Sequence, residues 1–477
     1  MQDLWTNLAE RTQSWQALGR QHLADAIWAP YVISRFERTG DERALQFVYP
    51  YLKSTEPGKR RQAIQVAARI FEGRGPGAIA DLDYFTQNTD PYIRDRAPLV
   101  IAGAMHGYPG AEILTALKPY LGSSNEFTRR TALKGACRAA PSDGHEAILA
   151  ELQAADTINT RKSDIEYDVA LLFAGRPTEE TYRFVTREGC DEEALGALLD
   201  GASSEWFERA RREHFLDWIA ERGRWAIEGY LIACRGRGHA ALEPILPHLL
   251  REIGRRGIIG EAARCFTGSD ISESRAHLLD LVRTGDVAEQ RFSAICLGRL
   301  LFASEDPDAI KALLALCQSR NGAVRAAGML GVAMVAKSTA NQELGSICEK
   351  GMQTPETARA AVCGFGLLYQ GSGRHRAFEA LRTCADAYRN RPVQGRKHYR
   401  PLAESYGSVG RIYQGTGSPD PVDYLLDAVA PSPVQWSLYR WAAARALLMV
   451  ESPWSTLNRI YRGEEDWLYG IDSRWWG

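Results

Sequence analysis

The stretch "NGAVRAAGMLGVAMVAKS", residues 321 to 338, is apolar or small at almost every position and has almost no polar face. Gly328 and Gly331 sit in its middle, and each glycine costs a helix interior about 1 kcal/mol relative to alanine. If the segment is helical, its bare backbone suits a helix pressed against neighbours on two or three sides rather than an amphipathic surface helix. The pattern therefore predicts a buried helix and asks for its neighbours.

Similar pieces recur along the chain: "RRQAIQVAARIF" from Arg60, "IRDRAPLVIAGAM" from Ile93, "TRRTALKGACRAA" from Thr128, "GRWAIEGYLIACR" from Gly223, "EQRFSAICLGRLL" from Glu289, "TARAAVCGFGLLY" from Thr357 and "YRWAAARALLMV" from Tyr439. Each places an arginine just ahead of alanines and small aliphatic residues. Arg61 to Arg94 is 33 residues, Arg94 to Arg129 is 35, Arg224 to Arg256 is 32, Arg256 to Arg291 is 35, and Arg291 to Arg325 and Arg325 to Arg359 are 34 each. A period in the low-to-mid thirties predicts stacked helical hairpins.

A second helix shows independently. Breaker clusters such as "EGRGPGA", "HGYPGAE", "ASEDPDA" and "YQGSGRH" follow the Arg-Ala segments, and amphipathic runs such as "AIKALLALCQ" and "AFEALRTCA" follow the breakers. Cys296 to Cys317, Ala327 to Cys348 and Cys363 to Cys384 are all 21 residues apart, so the two helices keep one register. The expected unit is an Arg-Ala helix, a turn and an amphipathic helix.

This pattern resembles the HEAT-repeat family, with its armadillo-like and phycobilisome-lyase-type relatives, in which a turn residue precedes Val-Arg and then small residues. Here it stands as Asp90 with Ile93-Arg94 and Asn321 with Val324-Arg325, and more loosely as Asp286 with Arg291. The resemblance covers residues 57 to 155 and 223 to 390. It implies an all-α superhelix in which small residues permit close packing. It also implies that the arginines at 61, 94, 129, 224, 256, 291, 325 and 359 form a structural ladder, bonding the acid or carbonyls of a neighbouring turn. The expected organisation is N-terminal capping helices over 1–56, a repeat array over 57–390 whose register weakens over 160–222, and irregular repeats with a C-terminal cap over 391–477.

Composition adds little to the fold and narrows the partner. The chain of 477 residues has 45% hydrophobic and 25% charged residues, which excludes wholesale disorder. Its net charge of -1 gives no global field for nucleic acid or an anionic membrane, so such a partner would need a local patch. The N-terminus lacks a signal-peptide core and no apolar run reaches membrane-spanning length, so a cytoplasmic location is expected. Nine scattered cysteines without a CxxC pair favour neither disulfides nor zinc and read as small buried repeat positions.

Enzyme signatures are missing: the sequence has no Walker loop, HExxH, GxSxG or placed Rossmann fingerprint. "GRGPGA" and "GSGRH" look suited to phosphate, yet both fall in turns that the period requires. The nine histidines include no pair at metal-ligand helical spacing, and no cofactor or metal is expected. Three clusters remain as candidate partner sites. Residues 205–225 interleave Trp206, Trp218 and Trp225 with Arg209, Arg211, Arg212, Arg222 and Arg224, which suits base stacking and phosphate contact or, equally, an amphipathic helix. Residues 389–400 carry Arg389, Arg391, Arg396, Lys397, His398 and Arg400 without an acid, as an insertion in the repeat register. The C-terminal end carries Trp475 and Trp476, either capping the last repeat or docking into a partner.

The favoured expectation is a non-catalytic scaffold or adaptor gripping a protein or peptide on a concave solenoid surface. The resemblance also brings in alkylpurine DNA glycosylases, whose basic, Trp-lined groove residues 205–225 loosely echo, and tetrapyrrole-handling bilin lyases. The balanced charge disfavours nucleic acid.

Overall fold

A computed structural model describes residues 29, 32–33, 36–140, 147–148, 150–151, 163–187, 191–252, 258–266, 271–389, 400–416, 418, 420–429, 442–443, 446–447 and 449–450. Among these residues there is no strand, and no helix is long and apolar enough to cross a membrane. The chain forms two compact units, Val32–Arg235 and Gly236–Gly477, with Met1–Tyr31 grouped with the latter. Each is a stack of antiparallel helix pairs.

In the first unit the principal helices are α1 (Leu45–Leu52), α2 (Pro57–Phe71), α3 (Ala97–Ala104), α4 (Gly110–Leu121), α5 (Glu126–Ala139), α6 (Ser163–Leu172), α7 (Glu179–Val185), α8 (Glu192–Leu199), α9 (204–222) and α10 (Arg224–Ala233). Helices α2, α3, α5, α6, α8 and α10 pack each on the next in a continuous row. The second unit contains α11 (Ile258–Cys265), α12 (Ile271–Thr284), α13 (Val287–Leu300), α14 (Pro307–Cys317), α15 (Gly322–Val335), α16 (Gln342–Met352), α17 (Ala358–Leu368), α18 (His375–Arg389) and α19 (Arg400–Ile412). Here the row is α11, α13, α15, α17 and α19.

The hairpins are phased differently from the sequence expectation. The close pairs are α12 with α13, α14 with α15, α16 with α17, and α18 with α19, so each amphipathic helix leads into the Arg-Ala helix after it. In the hairpins that end in α5, α13 and α15 the turn is short, and its last residue caps the Arg-Ala helix. Asn321 accepts from the amides of Ala323 and Val324, Asn125 accepts from Phe127, and Asp286 forms a capping box with Glu289. Such caps satisfy amides that the first helical turn leaves without partners. The turn residue before Val-Arg is therefore a helix start signal, and the conspicuous breaker clusters lie between hairpins.

Close approach explains the glycines of the opening stretch. A Cβ on Gly331 would lie 2.6 Å from the carbonyl oxygen of Ala294 in α13, and one on Gly328 would lie 2.8 Å from Cβ of Leu316 in α14. Val324 and residues 327 to 335 are all buried. Helix α15 is thus wedged between its hairpin partner and its row neighbours, and small side chains set that distance.

The loops between hairpins have a repeated backbone device. Two residues, two apart, take left-handed conformations and donate their amides to the last carbonyls of the next helix in the row. Gly73 and Gly75 donate to Gly103 and Ala104, Gly236 and Gly238 to Arg264 and Cys265, and Gly371 and Gly373 to Arg411 and Ile412. Ala303 and Glu305 donate to Met334 and Val335, and Ser338 and Ala340 donate to Leu367 and Leu368, again with positive φ but without glycine. Helix C-termini leave carbonyls without intrahelical partners, and these loops satisfy them from the preceding repeat.

Candidate interaction surfaces

Residues 205–222 of the Trp/Arg segment form one helix, α9, interrupted by a single π turn at Arg211–Phe215, and Arg224 and Trp225 open α10. Residues four apart drift around an α-helix by about 40° per step, and the wider π turn takes up part of that drift. Trp206, His214 and Trp218 consequently share a face. Trp206 stacks 5.2 Å and His214 5.8 Å from the ring of Tyr182, and Trp218 lies 5.1 Å from His214. Ala210, Phe207 and Phe215 are buried beneath them.

Carboxylates surround the arginines of this segment. Arg209 bonds Glu179 at 2.7 Å and Glu213 at 3.3 Å while stacking over Tyr182 at 4.5 Å. Hydrogen bonding to Glu179 holds its protonated form more firmly than usual. Arg211 pairs with Glu208 at 2.5 Å, Arg222 with Glu192 at 2.7 Å and Arg224 with Glu228 at 2.7 Å. Arg212 donates to the carbonyl of Glu208 at 3.2 Å. A phosphate approaching this face would meet an acid beside nearly every cation.

Of the basic cluster at 389–400, Arg389 is the last residue of α18. It donates to the Tyr406 hydroxyl at 2.7 Å and pairs with Asp386 at 3.3 Å, tying α18 to α19. Arg400 starts α19 and is half-buried, which lowers its pKa, while Glu404 opposes the shift. Arg391, Arg396, Lys397, His398, Trp475 and Trp476 lie outside the described residues.

The repeating arginines do several jobs. Arg129 donates to the carbonyl of Ser123 at 2.5 Å, and Arg325 donates to those of Ser319 and Arg320 at 3.0 and 2.9 Å, each within the turn ahead of its own helix. Arg359 instead reaches Glu404 of α19 at 3.2 Å. Arg94 lies 3.8 Å from Asp95, Arg61 is exposed, Arg291 is half-buried, and Arg256 lies outside the described residues. Ion pairs between successive repeats are carried by other arginines: Arg38 with Glu72, Arg60 with Asp90, Arg209 with Glu179, and Arg275 with Asp306.

One arrangement joins several repeats of the first unit at the starts of their Arg-Ala helices. Tyr92 is sandwiched between the guanidinium groups of Arg60 at 3.9 Å and Arg96 at 3.8 Å, and Arg96 also lies 4.5 Å from the ring of Phe127. Arg60 is paired with Asp90. Arg96 makes one hydrogen bond, from Nη1 to the carbonyl of Tyr92 at 3.2 Å, and burial lowers its pKa. Phe127 is 44% exposed. Sequence inspection missed this row because its members come from different repeats. The only signal was an aromatic residue two positions ahead of Arg94 and of Arg129, namely Tyr92 and Phe127.

A second grouping lies in the other unit. His239 and His277, 38 residues apart, stack at 5.1 Å beside a cavity of about 140 Å³ lined also by Leu242, Glu243, Leu246, Phe266 and Phe292. Burial and the neighbouring His239 depress the pKa of His277. Among the described residues no cluster of three or more metal-ligating side chains forms. The GxG turns at 73–75 and 371–373 direct their glycine amides to neighbouring helix carbonyls, which leaves no anion cradle there.

No family model and no curated protein matches the chain. Among solved structures it is similar to an engineered protein, at 16% identity and a TM-score of 0.28, over 78% of this chain and 98% of that one. It is also similar to importin beta in an ammonium sulfate condition, at 12% identity and a TM-score of 0.34 over 86% of this chain. A third similarity is to a mutant of Kap121p, at 10% identity and a TM-score of 0.37 over 98% of this chain. The chain spans 64% of the importin beta chain and 53% of the Kap121p chain.

Proposed function

We propose that this protein is a non-catalytic scaffold or adaptor that binds a protein or peptide partner on the surface presented by its successive helices. The observation that carries this reading is the Arg60–Tyr92–Arg96–Phe127 row, a pre-organised and partly exposed set of cations and aromatic rings built from several repeats. Arginine and aromatic side chains supply most of the energy of protein recognition where they are held rigidly. The paired arginines of α9 and of the start of α10 favour a protein partner over nucleic acid, because each carboxylate there would repel a phosphate.

The experiment is site-specific photo-crosslinking in cells, with a crosslinking amino acid at Phe127 of the full chain. The expected result is a discrete protein adduct whose purified component binds the chain stoichiometrically. Recovery of nucleic acid alone at that position would overturn the reading.

A further inference from the structure

The row described above has a stereochemistry that selects its partner. We infer that Arg61, Arg94, Arg96 and Phe127 form a docking surface for an extended acidic peptide carrying a carboxylate at about every third residue. This rests on the protein-binding reading and specifies its chemistry.

Arg96 is the anchor. Its guanidinium carbon lies 3.8 Å from the centroid of the Tyr92 ring and 4.5 Å from that of Phe127, so two aromatic rings from successive repeats hold it. A guanidinium has five N–H groups, and Arg96 makes a single protein hydrogen bond, through Nη1. A carboxylate can take the planar fork in a bidentate contact, and stacking has already fixed its orientation. Arg61 is exposed and its charge acts on Arg96, and Arg94, two residues earlier in the chain than Arg96, is 50% exposed with Asp95 no nearer than 3.8 Å, so both offer further cationic points.

Spacing decides between peptide and nucleic acid. Helices α2, α3 and α5 pack successively, and packed helix axes lie roughly 8–10 Å apart. An extended peptide rises about 3.3 Å per residue, so every third side chain advances by about one repeat. Asp90 and Asp95 stand among the cations, and Asp90 neutralises Arg60. Every backbone unit of a nucleic-acid strand is charged and would be repelled by these acids, whereas a peptide can set neutral residues beside them between its carboxylates. The exposed ring of Phe127 offers those intervening residues an apolar shelf.

The test uses the purified full chain and a fluorescent peptide of about twelve residues with glutamate at every third position. The controls are the same peptide with glutamine and a single-stranded oligonucleotide of similar length, all followed by anisotropy at low salt. The glutamate peptide should bind at least about tenfold more tightly than the glutamine peptide. Arg96→Gln should lose that margin, Arg96→Lys should lose most of it because a lysine lacks the planar fork, and Arg275→Gln in the other unit should change nothing. Arg94→Gln, on an exposed side chain, should weaken binding severalfold and serves as the second variant if Arg96→Gln melts early. Equal binding of the two peptides, unchanged affinity in both Arg96→Gln and Arg94→Gln, or preference for the oligonucleotide would each overturn the proposal. If the acidic peptide fails while the Phe127 crosslink to a protein persists, the adaptor reading stands and the acidic chemistry falls.

Discussion

Gly298 of α13 and Gly331 of α15 meet backbone to backbone: a Cβ on Gly298 would lie 2.8 Å from the Cα of Gly331. Both helices give up intrinsic propensity at this point, and the tight row they form is the return. Replacing Gly331 with leucine should therefore destabilise the protein. Forcing bulk into a packed interface costs about 1–3 kcal/mol, whereas the better helix former gains at most about 1 kcal/mol. Urea denaturation should show a lower midpoint for Gly331→Leu, and a midpoint at or above wild type would mean that α15 is not wedged.

The left-handed loop residues allow an opposite prediction. Ala303, Glu305, Ser338 and Ala340 occupy positive φ without being glycine. That conformation costs a residue with a Cβ about 1–2 kcal/mol, offset in part by the larger unfolded-state entropy of glycine. Ala303→Gly and Ala340→Gly should each raise stability by several tenths to about 1 kcal/mol. Gly371→Ala should lower it by about 1 kcal/mol, since the nearest atom to an added Cβ is 3.9 Å away and only the backbone is strained. A neutral Gly371→Ala in thermal melts would remove conformational strain as the cause.

Glu404 is 2% exposed in its side chain, and Arg359 reaches it from α17. Removing one member of a buried pair strands the other charge, at a cost of about 3–5 kcal/mol, whereas replacing both with apolar groups is often close to neutral. Arg359→Met should be strongly destabilising, and Arg359→Met with Glu404→Leu should recover most of the loss. A double-mutant cycle in urea checks this, and additive losses would contradict a direct coupling.

Acid should weaken the fold in two stages. Burial is the main reason that His277 and His214 titrate below their ordinary value of 6.5; His239 also opposes a proton on His277, while Asp280, Glu243 and Glu273 favour one. The unfolded chain therefore takes up protons that the folded chain excludes. Their contribution is complete above pH 6.5 and declines as pH falls below it. Asp306, held down by its hydrogen bond to Arg275, contributes fully above its ordinary 3.8 and loses that contribution as pH falls through its folded value. Melting temperature should fall first as pH drops below about 6.5, and His277→Gln should flatten that stage while leaving the second. An unchanged profile in His277→Gln would contradict the assignment.

The helical period was legible because packing demands it: small residues after each arginine mark where backbones approach. The hairpin phase was not. "QSRN" before α15 is a four-residue turn without glycine or proline, while "EGRGPGA" is conspicuous, so the eye places the hairpin turn at the louder signal. The left-handed pairs at 303–305 and 338–340 were hidden for the same reason, since neither contains glycine. Trp206, His214 and Trp218 were readable as one face from their spacing, but the acids that occupy the neighbouring arginines were not, because Glu179 and Glu192 come from other helices. The Tyr92–Arg96–Phe127 contact was illegible in the same way: Phe127 reaches Arg96 only because α3 and α5 stack.

The central claim is that Arg209, Arg211 and Arg222 of α9 are committed to carboxylates while Arg61, Arg94 and Arg96 remain available to a partner. Arginine-specific labelling with phenylglyoxal, read residue by residue by mass spectrometry, tests it most directly on the full chain, alone and with its crosslinked protein partner. The account predicts rapid modification of Arg61, Arg94 and Arg96 in the free protein, slow modification of Arg209 and Arg222, and protection of the first three by the partner. Rapid modification of Arg209 and Arg222, with partner protection there and none at Arg96, would contradict it.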